Sequence, residues 1–428
     1  MQHIAVIGGG ITGVTTAYAL QNHGFDVTLY ERNRYAAMET SFANGGQLSA
    51  SNAEVWNHWP TILKGLRWML RADAPLLVNP KPSWHKLSWF AEFMAAIPQY
   101  AHNTTETARL AIAARAYLFD WAQAEGIRFD LQRRGILHIY RDRKGFEHAA
   151  EVTRLLAAGG LERQPVTPDE MRGIEPNLAG EYYGGYYTES DATGDIHQFT
   201  KGLADAVARR GGEMRFGEAV SELSANGKET WVATEVDRQV YDGVVVCAGV
   251  ASRHLAAQLG DRLNVYPVKG YSITVNLEDE ASRQAAPQVS LLDDETKLVS
   301  SRLGPERFRV AGTAEFNGYN RDIRNDRTRP IIDWVEQCFP GVETRQVVPW
   351  AGLRPMMPNM MPRVGEGRRP GVFYNTGHGH LGWTLSAITA EQIAQQVAHA
   401  RVEAPISAPT LSGFNHHGDG DTRTRSGA

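Results

Sequence analysis

The chain has 428 residues, 42% of them hydrophobic and 21% charged, with a formal net charge of −4. That length suits two or three domains with sizeable cores, and the charge balance gives no basic footprint for nucleic acid. Its two cysteines, Cys247 and Cys338, stand far apart and outside any C-x-x-C, which excludes a thiol–disulfide redox motif and a cysteine-based zinc module and suits a reducing compartment.

Ile4-Ala5-Val6-Ile7 reads as a short buried strand, and Gly8-Gly9-Gly10-Ile11-Thr12-Gly13 behind it fits G-x-G-x-x-G. Residues 14–23 read as a helix broken by Gly24, and residues 26–30 as a second strand that ends at Glu31. In such a unit Gly8 permits the tight turn, Gly10 lets backbone approach a pyrophosphate, and Gly13 lets the helix pack close on the strand. Free N–H groups at the helix start then face the phosphates. Glu31 lies 18 residues past Gly13, close to where a carboxylate bonds a ribose hydroxyl. The fingerprint marks a dinucleotide site without separating FAD from NAD; a βαβ unit without ligand is the alternative.

The first strand starts at residue 4, so no secretory leader is expected. No run of about 18 apolar residues occurs, so any membrane association is expected to be peripheral. From Arg32 to Ser51 the chain is polar and holds Glu39-Thr40-Ser41-Phe42-Ala43-Asn44-Gly45-Gly46-Gln47-Leu48-Ser49. Hydroxyls, amides and paired glycines so near the phosphate loop suit a cofactor-wrapping loop.

Five of the ten tryptophans (Trp56, Trp59, Trp68, Trp84 and Trp89) fall within residues 54–100. Residues 61–71 show Ile62, Leu63, Leu66, Met69 and Leu70 at helical spacing among Lys64, Arg67 and Arg71, and residues 84–97 read as a second amphipathic helix. Basic groups beside tryptophan and leucine fit a membrane-surface helix; core packing or a cover over the site is the alternative. A long helix is expected at 104–125, a strand at 135–140, and helices at 146–158 and 198–210. Strands follow at 214–220 and 241–248, the second running into Gly249. Val220 is a candidate for an adenine edge, and Ala248 and Gly249 for the nucleotide side of the first sheet. Residues 263–350 alternate short strands and turns, as in a mainly antiparallel sheet, with Phe308–Ala314 as one strand and a helix at 329–339. A last buried strand at 372–375 ends in Thr376-Gly377-His378-Gly379-His380-Leu381-Gly382-Trp383-Thr384 and leads into a helix at 385–400. That repeats the logic of the N-terminus. Residues 413–428 read as a disordered tail. No second G-x-G-x-x-G occurs, which disfavours nicotinamide as a second substrate, and no metal motif is present.

Several blocks, in order, resemble the FAD-dependent D-amino-acid dehydrogenases, a branch of the D-amino-acid oxidase and glycine oxidase superfamily. They are Glu39-Thr40-Ser41 with Ala43-Asn44 and Gly46-Gln47, Thr193-Gly194-Asp195, Pro267-Val268-Lys269-Gly270-Tyr271-Ser272, Gly352-Leu353-Arg354-Pro355, and Asn375-Thr376-Gly377-His378-Gly379 with Leu381-Gly382-Trp383-Thr384. The resemblance implies a mixed α/β fold. A Rossmann-like FAD-binding domain would be built from residues 1–53, 195–260 and 350–403. A substrate domain with a mainly antiparallel sheet would take 54–194 and 261–349, including the tryptophan-rich helical insert.

It also implies roles. Gly8, Gly10, Ile11, Thr12, Gly13, Glu31 and Arg32 would hold the ADP half of FAD, and Thr40 and Ser41 the pyrophosphate. Asn44, Gly45, Gly46, Gln47 and Leu48 would run beside the isoalloxazine, with Gly377, Gly379, Leu381, Gly382, Trp383 and Thr384 at its pyrimidine edge. Arg354 is similar to the family's carboxylate-binding arginine, whose planar fork pairs bidentately; Tyr271, Tyr319 and His378 are the further candidates at the reaction site. Residues 44–46 read Asn-Gly-Gly where many relatives have Asn-Ala-Gly, and 356–361 are methionine-rich; these positions are expected to neighbour the substrate. The implied reaction is oxidative deamination of a D-amino acid, with hydride passing to flavin N5, the imino acid hydrolysing, and electrons leaving to a quinone or other carrier. The enzyme would be cytoplasmic, or peripheral on the cytoplasmic face of the inner membrane. An oxidase using O2, a dehydrogenase of D-proline or D-hydroxyproline, and a flavin-binding subunit without turnover are the rivals.

Overall fold

The computed structural model describes residues 2–68 and 75–402. The expected tail at 413–428 and Met69, Leu70 and Arg71 of the helix expected at 61–71 lie outside the described residues, as do the side chains of Lys64, Leu66, Arg67 and Trp68.

Six strands form the first sheet, in the order Arg363–Glu366, Val372–Thr376, Gly243–Val246, His3–Ile7, Asp26–Glu31, Glu213–Phe216. All pair in parallel except Arg363–Glu366. Side chains alternate across a strand, and both faces are covered. Ile4, Val6, Val245 and Phe373 enter one core with the helices Ile11–Asn22, Ile196–Arg209 and Gly382–Val402. Ala5, Ile7, Val244, Val246, Val372 and Tyr374 enter another, under the three-stranded antiparallel sheet of residues 222–241 and the helix Ser252–Gln258. Burial on both faces explains why these strands read as unbroken apolar runs.

The second sheet has nine strands, with the order Val347–Met356, Tyr266–Asn276, Arg307–Phe316, Leu298–Leu303, Ser290–Asp293, Ile136–Tyr140, Gly184–Thr188, Gln164–Val166, and Leu76–Val78 branching off Arg307–Phe316. Its pairings are antiparallel except Ser290–Asp293 with Ile136–Tyr140 and Leu76–Val78 with Arg307–Phe316. The fold is thus mixed α/β, a parallel nucleotide-type sheet beside a mostly antiparallel one.

Three expectations shift. The strand Val347–Met356 pairs along its length with Tyr266–Asn276, so the boundary expected at 350 is displaced and Arg354 belongs to the second sheet. The helix Tyr100–Ala124 sends Leu118, Trp121 and Ala122 into the core of the first sheet, although the expected substrate domain includes its segment. The strand expected at 214–220 spans only Glu213–Phe216, because Gly217 turns the chain with φ +77°.

Residues 47–48 pair with residues 192–193 in a two-stranded ladder, which anchors the loop after the phosphate turn. Asp195 of the Thr-Gly-Asp block caps the helix Ile196–Arg209, accepting from the His197 and Gln198 amides, and pairs with Arg307 at 2.7 Å. Nearby, buried Asp191 accepts from the amides of Ala50 (2.9 Å) and Ser51 (3.1 Å) and from Arg115 (2.9 Å). Asp191→Ala strands the Arg115 charge, so a loss of about 3–5 kcal/mol is expected in urea unfolding of the holoprotein; an unchanged midpoint contradicts this.

Candidate active site

The glycine turn lies at the carboxyl ends of the parallel strands. Gly8 has φ +113°, a conformation that favours glycine, and its amide donates to the Tyr30 carbonyl at 2.8 Å. A Cβ on Gly13 would lie 1.7 Å from the Gly8 oxygen, so Gly13 sets the helix–turn distance and itself faces neither cavity. The helix begins at Ile11 with Gly10 as its cap and no capping side chain, three residues earlier than expected. Its first turn is left to a ligand and to Ser41, whose Oγ accepts from the Ile11 amide at 3.0 Å. Glu31 accepts from the Gly9 amide (2.7 Å) and the Asn33 amide (2.8 Å), so it braces the turn, a duty its spacing did not indicate.

A cavity of about 390 Å³ runs from Glu31 and Arg32 past Gly8, Gly10, Ile11 and Thr12, with Val220, Ala248 and Gly249 on one wall. It continues by Thr40, Ser41 and Asn44 to Gly377, Gly379, Gly382 and Trp383. A carboxylate at one end, an uncapped helix start in the middle and a second glycine loop with a helix start at the other fit an extended dinucleotide. At Gly10 a Cβ would meet only the Ser41 Oγ at 3.6 Å, which leaves the backbone open to an anion. Arg32 is engaged by Glu39, which also holds Arg321 at 2.6 Å.

A second cavity of about 260 Å³ is lined by Gly45, Gly46, Gln47, Tyr271, Leu381 and Thr384, together with Trp56 and Glu54. Thr40, Asn44, Arg354 and His380 border both cavities and mark their junction. Arg354 donates to the carbonyls of Thr313 (2.8 Å) and Gly312 (3.4 Å). It has no carboxylate partner among the described residues, and burial pushes its pKa down to about 10. The neighbouring strands are shaped around it. A Cβ on Gly270 would fall 2.3–2.4 Å from the guanidinium, which explains the glycine in the Pro267–Ser272 block. A bulge between Lys269 and Tyr271 in the pairing with Arg307–Phe316, with Thr313 at φ +59°, accompanies the Thr313 bond.

The other expected site residues distribute unevenly. Tyr271 lines the second cavity, but its hydroxyl donates to Glu315 at 2.8 Å. Glu315 in turn holds fully buried Lys269 at 3.2 Å. Burial and that carboxylate raise the Tyr271 phenol above its ordinary range. Gln47 donates to the carbonyls of Leu291 (2.9 Å) and Ser300 (3.3 Å), and the Thr384 Oγ1 accepts from the Ser49 amide at 3.3 Å. Leu48 is a correction: it is buried in the first core, paired with Ala192, and borders neither cavity. At Gly45 a Cβ would lie 2.4 Å from Val299, so its missing side chain admits the second sheet as well as a planar ring.

His378 and Tyr319 are also corrected. The His378 ring is buried and bonds the Thr389 hydroxyl at 2.9 Å; burial lowers its pKa to about 3, and it borders the groove but not the second cavity. Tyr319 is 44% exposed, reaches His254 at 3.3 Å, and borders neither cavity. His380, two residues after His378, is the histidine at the junction. Sequence marked the glycine loop but not which ring faces inward. Glu54 pairs with His148 at 3.4 Å. With His58 they place three possible ligand atoms within 4.8 Å of one another, though no metal motif marked them in the sequence.

Residues 3–396 match the model of the DAO family, described as FAD dependent oxidoreductase. The chain belongs to this family. A Mesorhizobium japonicum protein called D-amino acid dehydrogenase 3 is 62% identical over 411 residues, 95% of this chain and 99% of that one. A Paramagnetospirillum magneticum protein called D-amino acid dehydrogenase is 41% identical, covering 92% of this chain and 94% of its own. Among solved structures, glycine oxidase from Geobacillus kaustophilus superposes with a TM-score of 0.72 at 19% identity, covering 93% of this chain and 95% of that one. L-proline dehydrogenase from P. horikoshii gives 0.73 at 15%, covering 93% of each. These likenesses establish the DAO fold. FAD is the cofactor of the family, and the groove from Glu31 to Trp383 has the donors and the length to hold it.

Proposed function

We propose that this DAO family member oxidatively deaminates D-amino acids to 2-oxo acids and ammonia as a dehydrogenase. The observation that carries this reading is Arg354, a cation without a carboxylate partner among the described residues, at the junction of the groove and the second cavity. A planar fork there is suited to a substrate carboxylate, and the two relatives named D-amino acid dehydrogenase support the substrate class. Bound FAD supplies the hydride acceptor for the Cα–H bond. The chain's own work is positional. Arg354 fixes the carboxylate, the Tyr271 ring and Trp56 wall the cavity, and the Gly45–Gln47 loop brings the groove against the second sheet. Holding the substrate in one orientation supplies most of the rate, and it explains why no acid–base dyad is needed. The test is reoxidation of the reduced holoenzyme: slow with O2 and fast with a quinone supports a dehydrogenase, whereas rapid reoxidation with stoichiometric peroxide overturns it.

We further infer that a membrane quinone is the acceptor and that the exposed apolar side chains at 59–63 and 84–87 rest on the membrane surface. No helix among the described residues is long and apolar enough to cross a membrane. Trp89 is buried and Trp56 lines the cavity, but Trp84 is 81% exposed, Leu63 55%, Trp59 54% and Leu87 53%. Large apolar side chains on amphipathic helices suit interfacial insertion. The holoenzyme is expected to co-sediment with anionic liposomes at low salt, and Trp84→Asp to bind about tenfold more weakly. No binding by the unaltered protein rejects the inference.

A further inference from the structure

We propose that His380 is a substrate-binding residue whose Nδ1 accepts a hydrogen bond from the substrate's α-amino group while Arg354 takes the carboxylate. This rests on the reading of Arg354 given above. His380 and Arg354 are two of the four residues, among the described residues, that border both the groove and the second cavity, so a small zwitterion seated at the junction meets both. The tautomer is fixed by the structure. The His380 Nε2 lies 3.2 Å from the Asn52 carbonyl oxygen, and a carbonyl can only accept, so Nε2 carries the proton. Nδ1 is therefore a lone pair, and no hydrogen bond among the described residues uses it. The ring is held in place by Trp56, stacked on it with centroids 5.2 Å apart and planes 19° from parallel.

The surroundings also keep the ring neutral. Burial, with a smaller effect from the Arg354 charge, lowers its pKa to about 4. A neutral imidazole with its proton pinned at Nε2 can accept from an N–H at Nδ1 and cannot compete as a second cation for the carboxylate. His378 in the same loop lacks this role because its buried ring, bonded through Nε2 to Thr389, borders the groove but not the second cavity. The two histidines thus divide the loop: one anchors it to the last helix, the other presents an acceptor to the junction.

The test compares D-alanine with propionate, which keeps the carboxylate and lacks the amine. In the holoenzyme, His380→Phe keeps an aromatic ring against Trp56 and removes the acceptor. Its kcat/KM for D-alanine is expected to fall at least about tenfold, as for a lost bond to a charged group, while FAD content and competitive inhibition by propionate stay at the wild-type level. His380→Asn, which can offer a carbonyl oxygen near the Nδ1 position, is expected to recover most of the loss. Equal weakening toward D-alanine and propionate overturns the proposal, as does an Asn variant as impaired as the Phe variant. Wild-type holoenzyme that binds propionate but turns over no D-amino acid overturns the substrate reading itself, an outcome distinct from either.

Discussion

Arg354→Ala is expected to lower kcat/KM for D-amino acids by roughly 100-fold or more, through a raised KM and a lowered kcat, with FAD retained. Among the described residues the guanidinium is bonded only to the carbonyls of Thr313 and Gly312, and burial has already cost it part of its proton affinity. A bound carboxylate would supply the missing counter-charge. Removing the arginine leaves that carboxylate to enter a partly apolar cavity without a partner, the costly half of a broken ion pair. Arg354→Lys should recover only part of the activity, since a point charge cannot reproduce a two-pronged fork. Steady-state kinetics with flavin absorbance as a check on cofactor content decides the matter; kinetics unchanged by Arg354→Ala would remove this residue from the substrate site.

The second large effect is expected at Gly13. Its Cβ would sit 1.7 Å from the Gly8 oxygen and 2.9 Å from the Gly8 carbonyl carbon. Backbone at Gly8 cannot yield cheaply, because its φ of +113° and its bond to Tyr30 are both fixed by the parallel sheet. Gly13→Ala must therefore push the helix Ile11–Asn22 off the strand His3–Ile7 and misplace the amides that meet the pyrophosphate. Overpacking of this kind costs about 1–3 kcal/mol or more. The variant is expected to purify without yellow colour and with a lowered Tm; full FAD content at the wild-type Tm would contradict the role given to the turn.

The first 31 residues were legible in the sequence because their signals are local. An apolar run, a glycine triplet and an acid at fixed spacing meet within one βαβ unit. The strand Val347–Met356 was not legible as a strand, because Pro349, Gly352 and Pro355 interrupt it. It tolerates them as the edge of its sheet, where missing donors face outward. That is also why the boundary at 350 was displaced. The helix Tyr100–Ala124 carries apolar residues that suit either core, and tertiary contacts such as that of Trp121 with Tyr18 in the first helix, 5.2 Å between centroids, assign it. Buried polar pairs leave no trace in a single chain. Nothing in the spacing of Tyr271 and Glu315 says that they bond, or that Lys269 is wholly buried beneath them. His378 and His380 show the same limit at closer range. Two residues apart in a glycine loop, they differ only in which way the backbone turns them, and Gly379 at φ +60° makes that turn.

The central claim is that Arg354 and the flavin groove together select and oxidise a D-amino acid. It is tested most directly by mixing the oxidised holoenzyme anaerobically with the two enantiomers of alanine and recording flavin absorbance. The account predicts bleaching by the D-enantiomer, none by the L-enantiomer, and loss of that bleaching at the same substrate concentration in Arg354→Ala. An enzyme that stays yellow with a panel of D-amino acids, or that bleaches with the L-series instead, would contradict it.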